Sequence, residues 1–222
     1  MSRVHRPRAD LHVLVRPTAA QLRRRLPQLF AGIVLLAVGI ELTLRAELGL
    51  APWDVLHQGI ADHLGVPFGL VVVGVGLVVL LLWIPLRQPL GLGTVLNTLL
   101  VGVLVDLSAH VIPSISTLPW RWTALLSGLG AQALGVGLYI GAGLGTGPRD
   151  GLMTAIARRG APIALVRTAL EVSVLAIGWT LGGTVGIGTV ILALGIGPLS
   201  APLLHRLHVA APATSMIGST GE

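Results

Sequence analysis

The chain reads as an all-α protein. It is a polytopic membrane bundle of about six transmembrane helices in two inverted three-helix repeats, each with a short broken, re-entrant or interfacial helix. Three observations predict this. The 222 residues are 53% hydrophobic and only 11% charged, with a mean hydropathy of +0.86, whereas a soluble domain is about 25% charged. Apolar runs of about 20 residues recur, enough to cross a hydrocarbon core roughly 30 Å thick. Finally, the second half of the sequence repeats the first.

Taken in order, residues 1–28 form an Arg-rich segment broken by Pro7, Pro17 and Pro27 and expected on the cytoplasmic side. The apolar run at 29–48 has no small-residue cleavage site, so it is a retained first span rather than a signal peptide. Further spans are predicted at 68–86, 92–112, 122–143, 163–181 and 187–204, giving two transmembrane repeats at 29–112 and 122–205. The tail at 206–222, rich in Ala, Pro, Ser, Thr and Gly, has the composition of a disordered segment.

Charge placement supports this layout. All 15 cations are Arg, and seven of them lie in the first 25 residues. With both termini inside, the cytoplasmic segments hold those seven plus Arg87, Arg149, Arg158, Arg159 and Arg206. The outer segments hold only Arg45 and Arg121. That asymmetry is the positive-inside pattern of a multi-pass plasma-membrane (cell inner membrane) protein. The net charge of +6 is therefore assigned to membrane lipid rather than nucleic acid, which is not expected as a partner. With no cysteine in the sequence, disulfides and thiolate chemistry are excluded.

The repeat is visible by self-comparison. Residues 39–54 (GIELTLRAELGLAPWD) and 135–150 (GVGLYIGAGLGTGPRD) are identical at seven of 16 positions at a shift of 96. Beyond one dropped residue near Leu64, GLGTVLNTLLVG (91–102) matches GIGTVILALGIG (186–197) at six of 12 positions, at a shift of 95. Three spans per repeat make the second half enter from the opposite face, as in many secondary transporters.

Each first span ends in Leu-Gly-x-x-Pro-x-Asp: Leu48 to Asp54 and Leu144 to Asp150. Gly breaks the helix, Pro suits the first position of the next, and Asp suits its first turn through the helix dipole. Helices of about 12 residues should follow, too short to span. If their N-termini point into the core, their backbone N–H groups bind an anionic or polar solute. Pro52, Trp53, Asp54, Thr146, Pro148, Arg149 and Asp150 are then substrate-binding candidates, with Arg149 recruiting the anion. A paired turn with an interfacial helix is the plainer alternative. The run Gly141-x-Gly143-x-Gly145-x-Gly147 lacks the Gly-Lys-Ser/Thr of a phosphate loop, so nucleotide binding is not expected.

Glu41, Asp106, Arg167 and Glu171 fall inside predicted spans, where a charge costs on the order of 3 kcal/mol. Glu41 with Arg45, and Arg167 with Glu171, are four apart and share a helical face. They are read either as self-contained ion pairs or as a proton site beside an anion-holding Arg. Asp106, near a span end, is expected to cap or face the surface. Asn97 is a further polar candidate within a span. These charges break the repeat, since Glu41 aligns with Gly137, Arg45 with Gly141, Arg167 with Val72 and Glu171 with Gly76. Small-residue stripes (Ala133, Gly137, Gly141, Gly145 and Ser127, Ala131, Gly135) suit close helix packing. The histidines (His57, His63, His110, His205, His208) lack ligand spacing, so no metal site is expected.

The Gly-Leu-Ala-Pro-Trp-Asp segment at 49–54, its echo at 145–150 and the two Gly-x-Gly-Thr segments resemble the YczE-type family of bacterial integral membrane proteins, related to the YitT and YyaS group. The resemblance spans about 29–205 and implies a plasma-membrane protein whose activity is not established. YitT-branch members often carry a soluble C-terminal domain; none is expected here. The residues favour a small-solute permease working by alternating access at the interface of the halves. A non-transporting scaffold or accessory protein is the alternative. No Ser/His/Asp set, metal cluster or close carboxylate pair suggests an enzyme, and no cofactor is expected. The partners expected are lipid and a small solute, an anion being favoured by the Arg residues; a homo-oligomer is left open. Loss of uptake in Glu41→Gln and Arg167→Ala is the expected signature of transport.

Overall fold

The computed structural model describes residues 19–208, and every regular element among them is helical. Six long helices, α1 (Ala19–Ala46), α3 (Phe68–Leu86), α4 (Leu92–Ala109), α5 (Leu118–Gly141), α7 (Ile163–Thr180) and α8 (Ile187–Leu207), are long and apolar enough to cross a membrane. Two short ones, α2 (Pro52–Leu64) and α6 (Pro148–Ala157), follow the Leu-Gly-x-x-Pro-x-Asp motifs, with Pro in the first turn of each. The lipid-facing surface is apolar: Trp179, Leu194 and Ile187 are all exposed.

Several boundaries differ from the sequence expectation. The first helix does not wait for the apolar run at Leu29; it starts at Ala19 and carries Arg23, Arg24, Arg25 and Pro27 within it. Leu22, Leu26 and Leu29 recur at helical spacing and pack on the α1–α4–α5 core, which extends the helix toward its N-terminus despite Pro27. Gln28 Nε2 donates to the carbonyls of Leu138 (3.1 Å) and Leu207 (2.8 Å), so α1, α5 and the last turn of α8 are tied together. Accordingly α8 runs past 204. The fourth span begins at Leu118, because Pro119 sits comfortably in a first turn, and ends at Gly141, two residues before the left-handed Gly143 (φ 66°). The third stops at Ala109, ahead of Pro113, which disfavours helical backbone in the residue before it. The segment before 19 and the tail after 208 lie outside the described residues.

The frame is a crossing of α1 and α5, closed by glycines used reciprocally. A Cβ on Gly32 would lie 2.9 Å from the Gly135 carbonyl, and one on Gly135 2.8 Å from the Gly32 carbonyl. Gly39 and Gly128 stand in the same relation, each 2.8 Å from the other's carbonyl. Early residues of α1 thus meet late residues of α5, so the two helices run antiparallel. Exchanging the halves maps Gly32 onto Gly128 and Gly39 onto Gly135, and the pair of contacts returns to itself.

The two repeated motifs turn out to be partners across the halves. Gly93 N–H donates to Leu144 O and Gly188 N–H to Leu48 O, both at 2.8 Å. Gly49 (φ 112°) and Gly145 (φ 136°) hold left-handed conformations that favour Gly. Each also sits where a Cβ would press on a threonine hydroxyl of the facing Gly-x-Gly-Thr, Thr189 at 2.7 Å or Thr94 at 2.6 Å. Packing is exchanged in the same way, with α2 lying on α7 and α6 on α3.

One contact is not duplicated. Helices α3 and α4 pack together where Gly69 and Gly102 place each backbone against the other's carbonyl. In the second half Ala164 stands at the Gly69 position, and Arg167 and Glu171 replace Val72 and Gly76. Side chains there occupy the space that a close approach needs. As a result α7 and α8 are splayed, with the Arg167 guanidinium reaching across to Gly197.

Candidate functional site

The short helices are enclosed at their starts rather than laid on a surface. Pro52, Trp53, Asp54, Val55, Leu56 and His57 are all buried, while Asp62, His63 and Leu64 are exposed. In α6, Gly151, Leu152, Met153 and Ala155 are buried, and Arg158 to Gly160 are exposed. The α6 start is pinned by Trp83, fully buried, whose ring lies on Gly151 and whose Nε1 donates to Pro148 O at 3.1 Å. At the exchanged position the sizes are swapped, with Val55 packing on Gly178. Neither α2 nor α6 has a side-chain N-cap.

Two cavities flank the place where these helix starts meet. The first is lined mainly by α1, α2, α3 and α4, with Tyr139 of α5 and the start of α6; the second mainly by α5, α6, α7 and α8, with the start of α2. They occupy equivalent places in the repeat. Asp54, His57, Val72, Gly76, Asn97 and Thr98 line the first, and their counterparts Asp150, Met153, Arg167, Glu171, Leu192 and Ala193 line the second. Trp53 and Arg149, themselves counterparts, line both and stand between them.

The chemistry of the two differs. In the second cavity the charges have partners: Arg167 Nε meets Glu171 Oε1 at 2.8 Å, and Tyr139 Oη donates to Asp150 Oδ2 at 2.8 Å. In the first, Trp53 Nε1, Asp54 Oδ2, His57 Nδ1 and Asn97 Nδ2 are buried without a hydrogen-bond partner. The His57 Nδ1 stands 3.5 Å from Asp54 Oδ1, and its ring meets Phe68 edge-on. Arg149 makes no hydrogen bond or ion pair among the described residues, although the charges of Asp150, Asp54 and Glu171 all act on it. Buried polar groups are normally satisfied, so a cluster of orphaned ones around a void is the mark of a site that takes a polar guest.

Nine of the sequence-predicted residues come together here. Asp54, Asn97 and Pro148 line the first cavity, Pro52, Asp150, Arg167 and Glu171 the second, and Trp53 and Arg149 both. Three do not. Thr146 lies in the turn before α6 and lines neither cavity. Glu41 and Arg45 form a 2.6 Å ion pair, and Arg45 Nη2 donates to Ala109 O at 2.7 Å, which fastens α1 to the end of α4. Asp106 caps, as its position predicts, but on a neighbour: its Oδ1 accepts the Gly69 N–H of α3 at 2.7 Å. Sequence reasoning missed His57 and Tyr139. His57 follows Asp54 by three residues, a same-face spacing that was legible. Tyr139, the single tyrosine, carried no local signal. Among the described residues no group of three or more potential metal ligands occurs.

The chain belongs to the family of unknown function DUF6198, which matches residues 23–203. It is similar to the uncharacterized membrane protein YczE of Bacillus subtilis, 35% identical over 171 residues that cover 76% of this chain and 80% of that protein. An uncharacterized protein of Haemophilus influenzae is 39% identical over 76% of this chain and 78% of its own length. The uncharacterized protein YyaS of Bacillus subtilis is 28% identical over 78% and 87%, respectively. No solved structure matches the chain. With six apolar spans and a relative described as a membrane protein, this is a membrane protein of the YczE type.

Proposed function

We propose that this protein is a small-solute permease of the plasma membrane, with both termini cytoplasmic. It works by alternating access around the wall formed by Trp53 and Arg149. The carrying observation is the pair of cavities at equivalent places in two halves whose contacts exchange into one another. If the antiparallel α1–α5 crossing stands upright in the bilayer, the exchange axis lies in the membrane plane. The two cavities then open toward opposite faces, the arrangement of inverted-repeat transporters. Opening one while closing the other presents the same central residues to either side. Arg149, polar and unpaired in the middle, is the group that engages the solute in both states.

Proteoliposome flux tests this reading. Arg149→Gln and Arg167→Ala should lower uptake at least tenfold while the protein still folds and reconstitutes. Glu41 lines neither cavity, so Glu41→Gln should leave uptake in place and lower thermal stability instead. Unchanged flux in Arg149→Gln refutes the site. No flux from the wild-type chain, together with a stable co-purifying protein, would favour the accessory role.

A further inference from the structure

Building on the permease reading, we infer that the first cavity takes a small zwitterion with an apolar body, of the aliphatic amino-acid class. The unsatisfied groups specify it. Trp53 Nε1 and Asn97 Nδ2 are buried donors without acceptors, and the half-buried Arg149 guanidinium makes no hydrogen bond or ion pair among the described residues, whereas Asp54 Oδ2 is a buried acceptor without a donor. A carboxylate answers the first three and an ammonium the fourth. The remaining wall is mostly apolar, with Leu36, Ile40, Val72, Val75 and Val101, and its Thr98 and Tyr139 hydroxyls already donate to Thr94 O and Asp150 Oδ2.

Charge separates this guest from simpler ones. Around the helix starts two guanidinium groups (Arg149, Arg167) face three carboxylates (Asp54, Asp150, Glu171), and His57 is the further titratable neighbour. A lone anion adds like charge beside buried Asp54, where low dielectric makes repulsion expensive. A lone cation relieves Asp54 and leaves Trp53 Nε1 and Asn97 Nδ2 orphaned, buried donors that are costly to desolvate. A zwitterion leaves the balance of charge unchanged and satisfies both sets. Beyond Trp53 and Arg149, which line both cavities, the second adds no orphaned buried atom, because Tyr139 and the Arg167–Glu171 pair already use its polar atoms.

Calorimetric titration of the full chain in nanodiscs decides this. The probes are L-alanine, L-valine, L-leucine, L-isoleucine and L-methionine, followed by the deaminated acid and the decarboxylated amine of whichever binds best. At least one amino acid should bind, with both single-charge analogues at least tenfold weaker. Asp54→Asn should weaken the amino acid at least tenfold without weakening the acid analogue. If none of the five binds, or if the acid or the amine binds as tightly as its parent, the inference is overturned. Since the comparison is made on the wild-type chain, it does not depend on the variant folding. Binding without flux would remove the permease and keep the zwitterion site; flux of the acid alone would do the reverse.

Discussion

The two cavities share a frame and differ in what has been done to it. At equivalent positions the first has Val72, Gly76 and Asn97, and the second has Arg167, Glu171 and Leu192. In the second, polar atoms were added together with their partners. In the first, they were left open around Asp54, His57 and Asn97. Duplication supplies two cavities, and divergence concentrates the unmet demand for hydrogen bonds in one of them. A buried donor or acceptor without a partner costs about 1–3 kcal/mol, so four of them in one place are an appreciable cost to the fold.

The largest effect should come from the group common to both cavities. Arg149→Gln removes the charged donor that either cavity presents. A charged hydrogen bond contributes about 1.5–3 kcal/mol, so uptake at fixed solute should drop by roughly ten- to a hundredfold. Wild-type flux would show that the wall between the cavities is not the site.

Next comes the unequal closure of the halves. Gly102→Ala forces a Cβ against the Gly69 carbonyl, where only backbone can give way, and should cost about 1–3 kcal/mol by overpacking. Its counterpart Gly197→Ala meets the far end of the Arg167 side chain at 3.0 Å, which can swing aside. Thermal unfolding in detergent should show the first variant clearly destabilised and the second close to wild type. Equal losses would mean that α7 and α8 close as tightly as α3 and α4.

Tyr139→Phe should do less. It removes the hydroxyl that Asp150 accepts from and converts the second cavity to the unsatisfied condition of the first, at about 1 kcal/mol of stability. A parallel thermal melt checks it. The smallest functional effect is expected from Glu41→Gln, which weakens an ion pair between α1 and the α4 end and should spare uptake entirely.

Much of this was written in the sequence, and particular residues show where legibility stops. The repeated Leu-Gly-x-x-Pro-x-Asp and Gly-x-Gly-Thr motifs announced two short helices and two halves, because glycine and proline act locally. That each motif docks on the other half's partner, Leu48 on Gly188 and Leu144 on Gly93, needed the tertiary fold. The pairs Glu41–Arg45 and Arg167–Glu171 are indistinguishable by spacing. One is covered by α4 and the other opens into a cavity, since helical periodicity fixes a face but not what lies against it. The start of α1 was missed because Leu22 and Leu26 belong to an apolar stripe hidden among arginines.

The in-plane exchange of halves is tested most directly by the side of the membrane on which equivalent exposed residues lie. Asp62, at the end of α2, and Arg158, just past α6, correspond at the shift of 96 and are both exposed. The chain has no cysteine of its own, so Asp62→Cys and Arg158→Cys are each a single reporter. A membrane-impermeant maleimide added to intact cells should label position 62 and leave position 158 unlabelled until the cells are opened. Labelling of both from outside, or of neither, would contradict the inverted arrangement of the halves.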